Sequence, residues 1–295
     1  MRLDNERESQ NVEDRRGSSS SGGGRVSMGT MMMLWPIIRP LLRTKFGWAI
    51  IGLGVVAYMA GFNPLALVGG GSTVRQAPVD KAKEDKQVVF MKKVLASTED
   101  VWKQIFAKHG ARYKEPKLVI YRGYTHSGCG GAQAQMGPFY CPADKKVYLD
   151  LSFFDELARK LNAPGDFAQA YVLAHEIGHY VQDQQGILSQ VQKAKQRWGV
   201  NSAKSNALQV KVELQADCYA GIWGYYAKNK FNILEPGDID EALNAASSIG
   251  DDTLMKKAGR AVRPDAFTHG SSAQRVAWFK RGFETGDIKA CNTFQ

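Results

Sequence analysis

Three absences organise this chain of 295 residues: no cysteine before residue 129, no charged residue between 46 and 68, and almost no apolar side chain in the first 30 positions. A segment without apolar side chains cannot bury enough surface to order itself, so residues 1–30, with the Ser/Gly run at 18–24, are expected to be flexible. A 23-residue stretch without charge, residues 46–68, is long enough to cross a bilayer, which takes about 20 residues. Trp48 near one end, with Arg43 and Lys45 just before it, suits an interfacial anchor. The long polar lead and the lack of an Ala-x-Ala site before Gly69 argue against a cleavable signal peptide. Residues 31–42 are also apolar, but Pro36, Arg39 and Pro40 interrupt them, and they are expected to lie at the interface. Neither an internal repeat nor a nucleic-acid-binding signature accompanies the net charge of +10, so the excess of Lys and Arg reads as a solvated basic face and no nucleic-acid partner is expected.

Histidine is scarce as well, with 5 in the chain, yet two of them fall in His175-Glu176-Ile177-Gly178-His179. Pro164-Gly165 ends the preceding element, Asp166 is placed as an N-cap with Gln169 three residues on, and Gly186 stops the helix. Between them Phe167, Tyr171, Ala174, Gly178 and Val181 recur at helical spacing. On such a helix two imidazoles four apart lie one above the other and can share a metal ion. Glu176 then stands beside that ion, where a general base is needed, which is the pattern of a zinc peptidase.

A catalytic zinc takes three protein ligands and keeps an open position. The metzincin continuation would put glycine at 182 and histidine at 185; Gln182 and Gln185 exclude it. Downstream, within a helical stretch at 203–229, Glu213 and Asp217 are four apart and project from one face. One can bind the metal while the other accepts a hydrogen bond from the far nitrogen of a ligating histidine. This Glu-x-x-x-Asp arrangement resembles the gluzincins, and the resemblance implies that Glu213 is the third ligand and Asp217 the outer partner. For a donor to the developing oxyanion, His269 in Phe-Thr-His-Gly-Ser-Ser is favoured, just ahead of a helix opened by Ser271 with Gln274 and Arg275 after it. His126, in Tyr-Thr-His-Ser-Gly-Cys-Gly, is the alternative.

Residues 1–45 hold 8 Lys and Arg, three of them near the uncharged run, so the positive-inside rule keeps them in the cytoplasm and sends the chain beyond residue 68 across. The expected organisation is a flexible basic cytoplasmic segment at 1–45, a transmembrane helix at 46–68, a linker at 69–82 and a metallopeptidase domain at 83–295 on the periplasmic or other extracytoplasmic side. All four cysteines, at 129, 141, 218 and 291, lie in the part expected to be oxidised. Three pairings exist. Cys129–Cys141, closing a short glycine-rich loop, and Cys218–Cys291, tying the ligand helix to the C-terminus, are favoured. A metal role for Cys218 is discounted because one residue turns it about 100 degrees off the face of Asp217.

Apolar periodicity predicts helices at 86–109, 152–161, 188–198, 203–229, 238–248 and 272–284 and strands at 117–122 and 146–151. The fold class is α+β and zincin-like, a small sheet followed by a mainly helical body. In that architecture an edge strand near the metal accepts the substrate backbone as an added strand, and residues 147–151 are the candidate.

Taken together these blocks resemble the bacterial neutral zinc metallopeptidase family, the YpfJ-like proteins, over nearly the full length. The resemblance is carried by Arg7-Glu-Ser-Gln-Asn-Val-Glu-Asp-Arg-Arg-Gly17, Ser127-Gly-Cys-Gly130, Gly137-Pro-Phe-Tyr-Cys-Pro-Ala-Asp144 and Val147-Tyr-Leu-Asp-Leu-Ser-Phe-Phe154. His175 to His179, Glu213 to Asp217 and Phe267-Thr-His-Gly-Ser-Ser-Ala-Gln-Arg275 complete it. The last block is also similar to that of HtpX-type and CAAX-processing membrane peptidases, which carry several spans. The resemblance implies a peptidase with one zinc ion per chain, anchored by a single span and acting on peptides or proteins. Cross-link cleavage in peptidoglycan and a non-catalytic, zinc-stabilised binding module are the competing readings.

Overall fold

The computed structural model describes residues 1–17, 80–133 and 137–294. The expected crossing at 46–68, the apolar run at 31–42 and nearly all of the linker lie outside the described residues. Among the described residues no helix is long and apolar enough to cross a membrane.

Alternation of side chains across a strand explains how the sheet sits. Strands β1 (Val12–Asp14), β2 (Lys117–Tyr121), β5 (Phe139–Cys141) and β6 (Lys146–Asp150) form one sheet in the order β1-β2-β6-β5. The first three in that order run parallel, and β5 joins antiparallel at the edge. Leu118, Ile120, Val147 and Leu149 point into the main core. Val119, Tyr121 and Tyr148 point the other way, onto Ala132 and Cys141. Ala132 belongs to a hairpin of β3 (Tyr124–Ser127) and β4 (Gly130–Gln133). With both faces covered, the strands read as nearly continuous apolar runs.

The strand expected to receive substrate needs correcting. Residues 147–151 fall in β6, which is paired on both sides, by β2 and by β5. The edge strands are β1 and β5; of these β5, a run of three residues between Pro138 and Pro142 that is too short to show alternation, is the one paired with β6.

The expectation of flexibility at the N-terminus also fails for residues 1–17, which belong to one compact unit with residues 81–294. Val12, Glu13 and Asp14 pair with Leu118, Val119 and Ile120. Leu3 is buried against the core. Polar side chains do most of the anchoring: the carboxylate of Glu99, 1% exposed, accepts from Ser9 Oγ at 2.6 Å, from Asn11 Nδ2 at 2.9 Å and from Arg7 at 2.9 Å. Composition missed this because the order rests on partners from the rest of the chain rather than on apolar content.

The helical body matches the predicted pattern closely. Helix α1 (Lys81–Lys108) and α2 (Ser152–Arg159) flank the sheet; α3 (Asp166–Gln184), α4 (Ile187–Trp198), α5 (Ala203–Asn229), α6 (Asp238–Ser248), α7 (Asp251–Lys257) and α8 (Ser272–Thr285) come after it. Helix α7 and the hairpin had no expected counterpart. The start of α3 differs in detail. Gly165, at φ 122°, is the cap residue, and Asp166 is helical with no capping bond. Glu241 of α6 accepts from the backbone N–H of Phe167 at 2.9 Å in its place. The capping box at Ser271 and Gln274 is present as expected.

Two close approaches hold the ligand helices. A Cβ on Gly178 would stand 3.0 Å from the Ala216 carbonyl oxygen, so α3 and α5 cross in near backbone contact there. A Cβ on Gly282 would collide with the Cys218 carbonyl oxygen, which sets α8 against α5 just as tightly. Phe167 stacks on Trp223 at 5.4 Å, and the indole N–H of Trp223 donates to Ser97 Oγ at 2.9 Å, linking α3, α5 and α1. Both expected disulfides, Cys129–Cys141 and Cys218–Cys291, are formed.

Candidate metal centre

Helix α3 carries His175 and His179 on consecutive turns, their ring centroids 4.8 Å apart. Glu213 reaches them from α5, with Oε2 3.3 Å from His175 Nε2 and 3.4 Å from His179 Nε2. Tetrahedral ligands bound at about 2.0–2.1 Å stand about 3.4 Å from one another, so these separations fit a zinc ion. The three residues form a cluster able to hold a metal, with one ligand atom from each lying within 4.8 Å of the others.

The remaining nitrogens of the two rings are already committed. His175 Nδ1 lies 2.8 Å from Asp217 Oδ1 and His179 Nδ1 lies 2.9 Å from Gln182 Oε1. Gln182 uses its amide N–H groups on Val212 O and Gln215 Oε1, which leaves its oxygen as the acceptor facing His179. Both Nδ1 atoms are therefore assigned as donors, and in the neutral rings both Nε2 lone pairs face the metal position.

Asp217 is the hub of a buried network. Tyr171 donates to Oδ1 at 2.6 Å; Arg275 of α8 donates to Oδ2 through Nε at 2.8 Å and to Oδ1 through Nη2 at 2.9 Å. Burial works against the ionised carboxylate, but the Arg275 charge and the His175 contact bring its pKa down to about 2. For His175, burial opposes the charged form, while Asp217 and Glu213 carry the pKa up to about 10. Glu213 is held well below the usual carboxylate range despite burial, chiefly by the charge of His179. Its other oxygen accepts from Gln209 Nε2 at 2.8 Å.

Glu176 is buried beside the pair, and that burial raises its pKa; the charges of His179 and His175, and after them a backbone hydrogen bond at Tyr140 of the edge strand, oppose the rise. A cleft of about 980 Å³ opens over these residues. Phe139, Tyr140, His269 and Arg275 are among its lining residues. Phe153, Leu161, Val172, Ile249 and Leu254 are apolar members of the lining, whereas Asp183, Ser189 and Gln192 are polar.

His269 is half exposed, and Asp251 orients it. The carboxylate of Asp251 lies 3.1 Å from His269 Nδ1 and accepts from the backbone N–H groups of Thr268, His269 and Gly270. The hydrogen bond with Asp251 raises the His269 pKa against the opposing effect of burial. His126 is different: it lies on β3, exposed, edge-on to Tyr124 at 5.0 Å, and is not among the residues lining the cleft. Cys218 is tied up in its disulfide, away from metal chemistry.

The supporting residues that sequence reasoning missed share one signal. Tyr171 is four before His175, Gln182 is three after His179, and Gln209 is four before Glu213. Each is one helical turn from a ligand, where contact results from helix geometry. Asp251 carries no such signal, since a separate helix delivers it.

Residues 1–294 match the family described as "Putative neutral zinc metallopeptidase". The chain is 48% identical to the uncharacterized protein YpfJ of Escherichia coli strain K12, covering 100% of this chain and 99% of that protein. It is 40% identical to the uncharacterized proteins Mb2605 of Mycobacterium bovis and Rv2575 of Mycobacterium tuberculosis, covering 67% of each chain. No solved structure matches.

Proposed function

From a chain that belongs to the neutral zinc metallopeptidase family, we propose a peptidase that holds one zinc ion on His175, His179 and Glu213 and uses Glu176 as its general base. The observation that carries this reading is the convergence of two imidazole Nε2 atoms and one carboxylate oxygen, with both Nδ1 atoms already bonded elsewhere. When bound, zinc would supply Lewis acidity, lowering the pKa of a water toward neutrality and polarising the scissile carbonyl.

The residues of the chain do the rest. Asp217 and Gln182 fix the ring orientations of the two ligand histidines and raise their basicity. Glu176, whose proton affinity is raised by burial, takes a proton from the attacking water and hands it to the leaving amine. His269, held by Asp251 through Nδ1, donates to the oxyanion from its other nitrogen. The edge strand β5 receives the substrate backbone as a further antiparallel strand, in keeping with the free hydrogen-bonding edge beside Glu176. The apolar part of the lining, Val172 and Leu254 among it, favours a substrate with a large apolar side chain near the scissile bond. The two disulfides support a location in an oxidising, extracytoplasmic compartment.

The test is to incubate zinc-loaded protein with casein and with intact peptidoglycan sacculi. Cleavage of casein, lost in Glu176→Gln while zinc stays bound at one per chain, is the expected result. Cleavage of sacculi alone would move the activity to cell-wall cross-links. Wild-type protein that binds zinc and cuts neither would leave a binding module.

A further inference from the structure

Five large apolar side chains stand exposed among the described residues, and three of them, Trp198 at 39%, Val200 at 54% and Val262 at 39%, fall on two neighbouring loops. Single exposed apolar residues are ordinary on a protein surface, whereas a group of them with a polar rim marks a contact. Trp198 ends α4, and Val200 sits in the turn from Gly199 to Ser202 that leads into α5, so both lie at the tip of a helical hairpin. Gly199, at φ 86°, lets the chain turn directly after the tryptophan. Val262 belongs to residues 256–266, exposed throughout, between α7 and His269. Asn206, in the first turn of α5, donates from its side chain to the Asp265 carbonyl at 3.1 Å, which fastens this second loop beside the hairpin tip.

The rim of these loops carries one sign of charge. No Asp or Glu stands between Asp183 and Glu213, an interval that holds Lys193, Lys195, Arg197, Lys204 and Lys211. Lys204 lies over the Trp198 ring at 4.1 Å. Residues 256–266 add Lys256, Lys257, Arg260 and Arg263, of which Arg263 pairs with Asp265. Lys193, Arg197, Lys204 and Arg260 are exposed and form no ion pair with another described residue.

Tips that end in tryptophan and valine, with free cations around them, match an anionic bilayer: indole settles at the headgroup level, and Lys and Arg are drawn by the surface potential. We propose that the tip of the α4–α5 hairpin and the loop at 256–266 form a docking surface for anionic phospholipid. A polyanion such as a nucleic acid would satisfy the charges but leave Val200 and Val262 in water. Both loops belong to elements that line the cleft. Leu188, Val191 and Gln192 come from α4, and Leu254 and His269 bracket the second loop. Gln192 is about 9 Å along the helix from Trp198, so lipid contact at the tips holds the cleft close to the bilayer surface. The docking surface requires no peptidase activity of the cleft.

A probe at the tip reads this contact in the full chain. All four native cysteines are in disulfides, so a thiol-directed dye finds only an added cysteine. Val200→Cys, with Asn201→Cys as a second exposed site should the first misfold, carries a solvatochromic dye and is mixed with phosphatidylcholine vesicles with or without phosphatidylglycerol. Asn229→Cys, exposed at the far end of α5 and about 40 Å from its start, is the control. The expected result is a blue shift at the tip and not at residue 229, seen only with phosphatidylglycerol and quenched by brominated acyl chains. Lys193→Glu together with Arg197→Glu is expected to weaken the contact by at least about 5-fold for each cation lost, and added salt weakens it further. A tip that stays in water overturns the proposal, as do equal shifts at both positions or a shift that needs no anionic lipid. An equal shift with single-stranded DNA, without acyl-chain quenching, assigns the surface to a polyanion. A shift that grows with protein concentration in the absence of vesicles assigns it to a second copy. Either of these overturns the lipid assignment.

Discussion

Arg275 grips Asp217 through two nitrogens, at 2.8 and 2.9 Å, in a site where Asp217 has no exposed surface. The same carboxylate orients His175, so one ion pair secures both the packing of α8 on α5 and the tautomer of a ligand. Breaking a buried pair from one side leaves an unpaired charge at a cost of about 3–5 kcal/mol. Arg275→Met is expected to lower unfolding stability by that order in urea titrations of the zinc-free protein. A loss below about 0.5 kcal/mol, the usual range of surface changes, would show that the pair is not structural.

Asp217→Asn removes the charge but keeps the shape. Loss of such a partner typically weakens metal binding about 10–100-fold. Competition against a chelating dye is expected to show a drop in zinc affinity of that size, with the stoichiometry still one per chain at saturating metal. Gln182→Leu should act on His179 in the same direction.

Glu213→Ala is expected to abolish stable zinc binding, because only two protein ligands remain. Atomic absorption after gel filtration reads this directly, and undiminished zinc in the variant would refute Glu213 as the third ligand.

His269 supplies a pH dependence with a definite sign. Its pKa in the folded protein is raised by the hydrogen bond with Asp251. Stability from this contact is fully present below the unfolded value near 6.5 and is lost as pH rises through the raised folded value. Denaturation midpoints of wild type and Asp251→Asn should therefore differ most on the acid side of that window and by less above it, where only the backbone N–H bonds to Asp251 still separate them. If the protonated ring also serves the reaction, the alkaline limb of kcat/KM moves to lower pH in Asp251→Asn.

The two disulfides should differ in weight. By loop length alone, the 73-residue separation of Cys218–Cys291 corresponds to about 4 kcal/mol and the 12-residue separation of Cys129–Cys141 to about 3 kcal/mol. Replacing each pair by alanine and comparing urea midpoints is expected to show the larger loss for the long loop.

How much of the fold and site was legible in the sequence depended on distance along the chain. His175, Glu176, His179, Glu213 and Asp217 lie at fixed helical spacings, so local periodicity revealed them together with the helices that carry them. The capping box at Ser271 is equally local. Most of the errors concern partners from far away, and one an element too short to leave a pattern. Asp166 looked like a cap, but Glu241 from another helix performs that service. Residues 147–151 looked like an edge because β5 is only three residues long. Residues 1–17 looked unstructured because their order is held by Glu99, Leu118 and Ile120, which no window of composition can include.

The pairing of Val12 with Leu118 also dictates an order of events during synthesis. The first strand to leave the ribosome has no partner until about a hundred further residues have been made. Such non-local parallel pairings form slowly, and an unpaired strand is open to wrong partners meanwhile. The N-terminal strand is made first and seated late, so refolding of the complete chain should end with the closing of this strand onto a sheet already built.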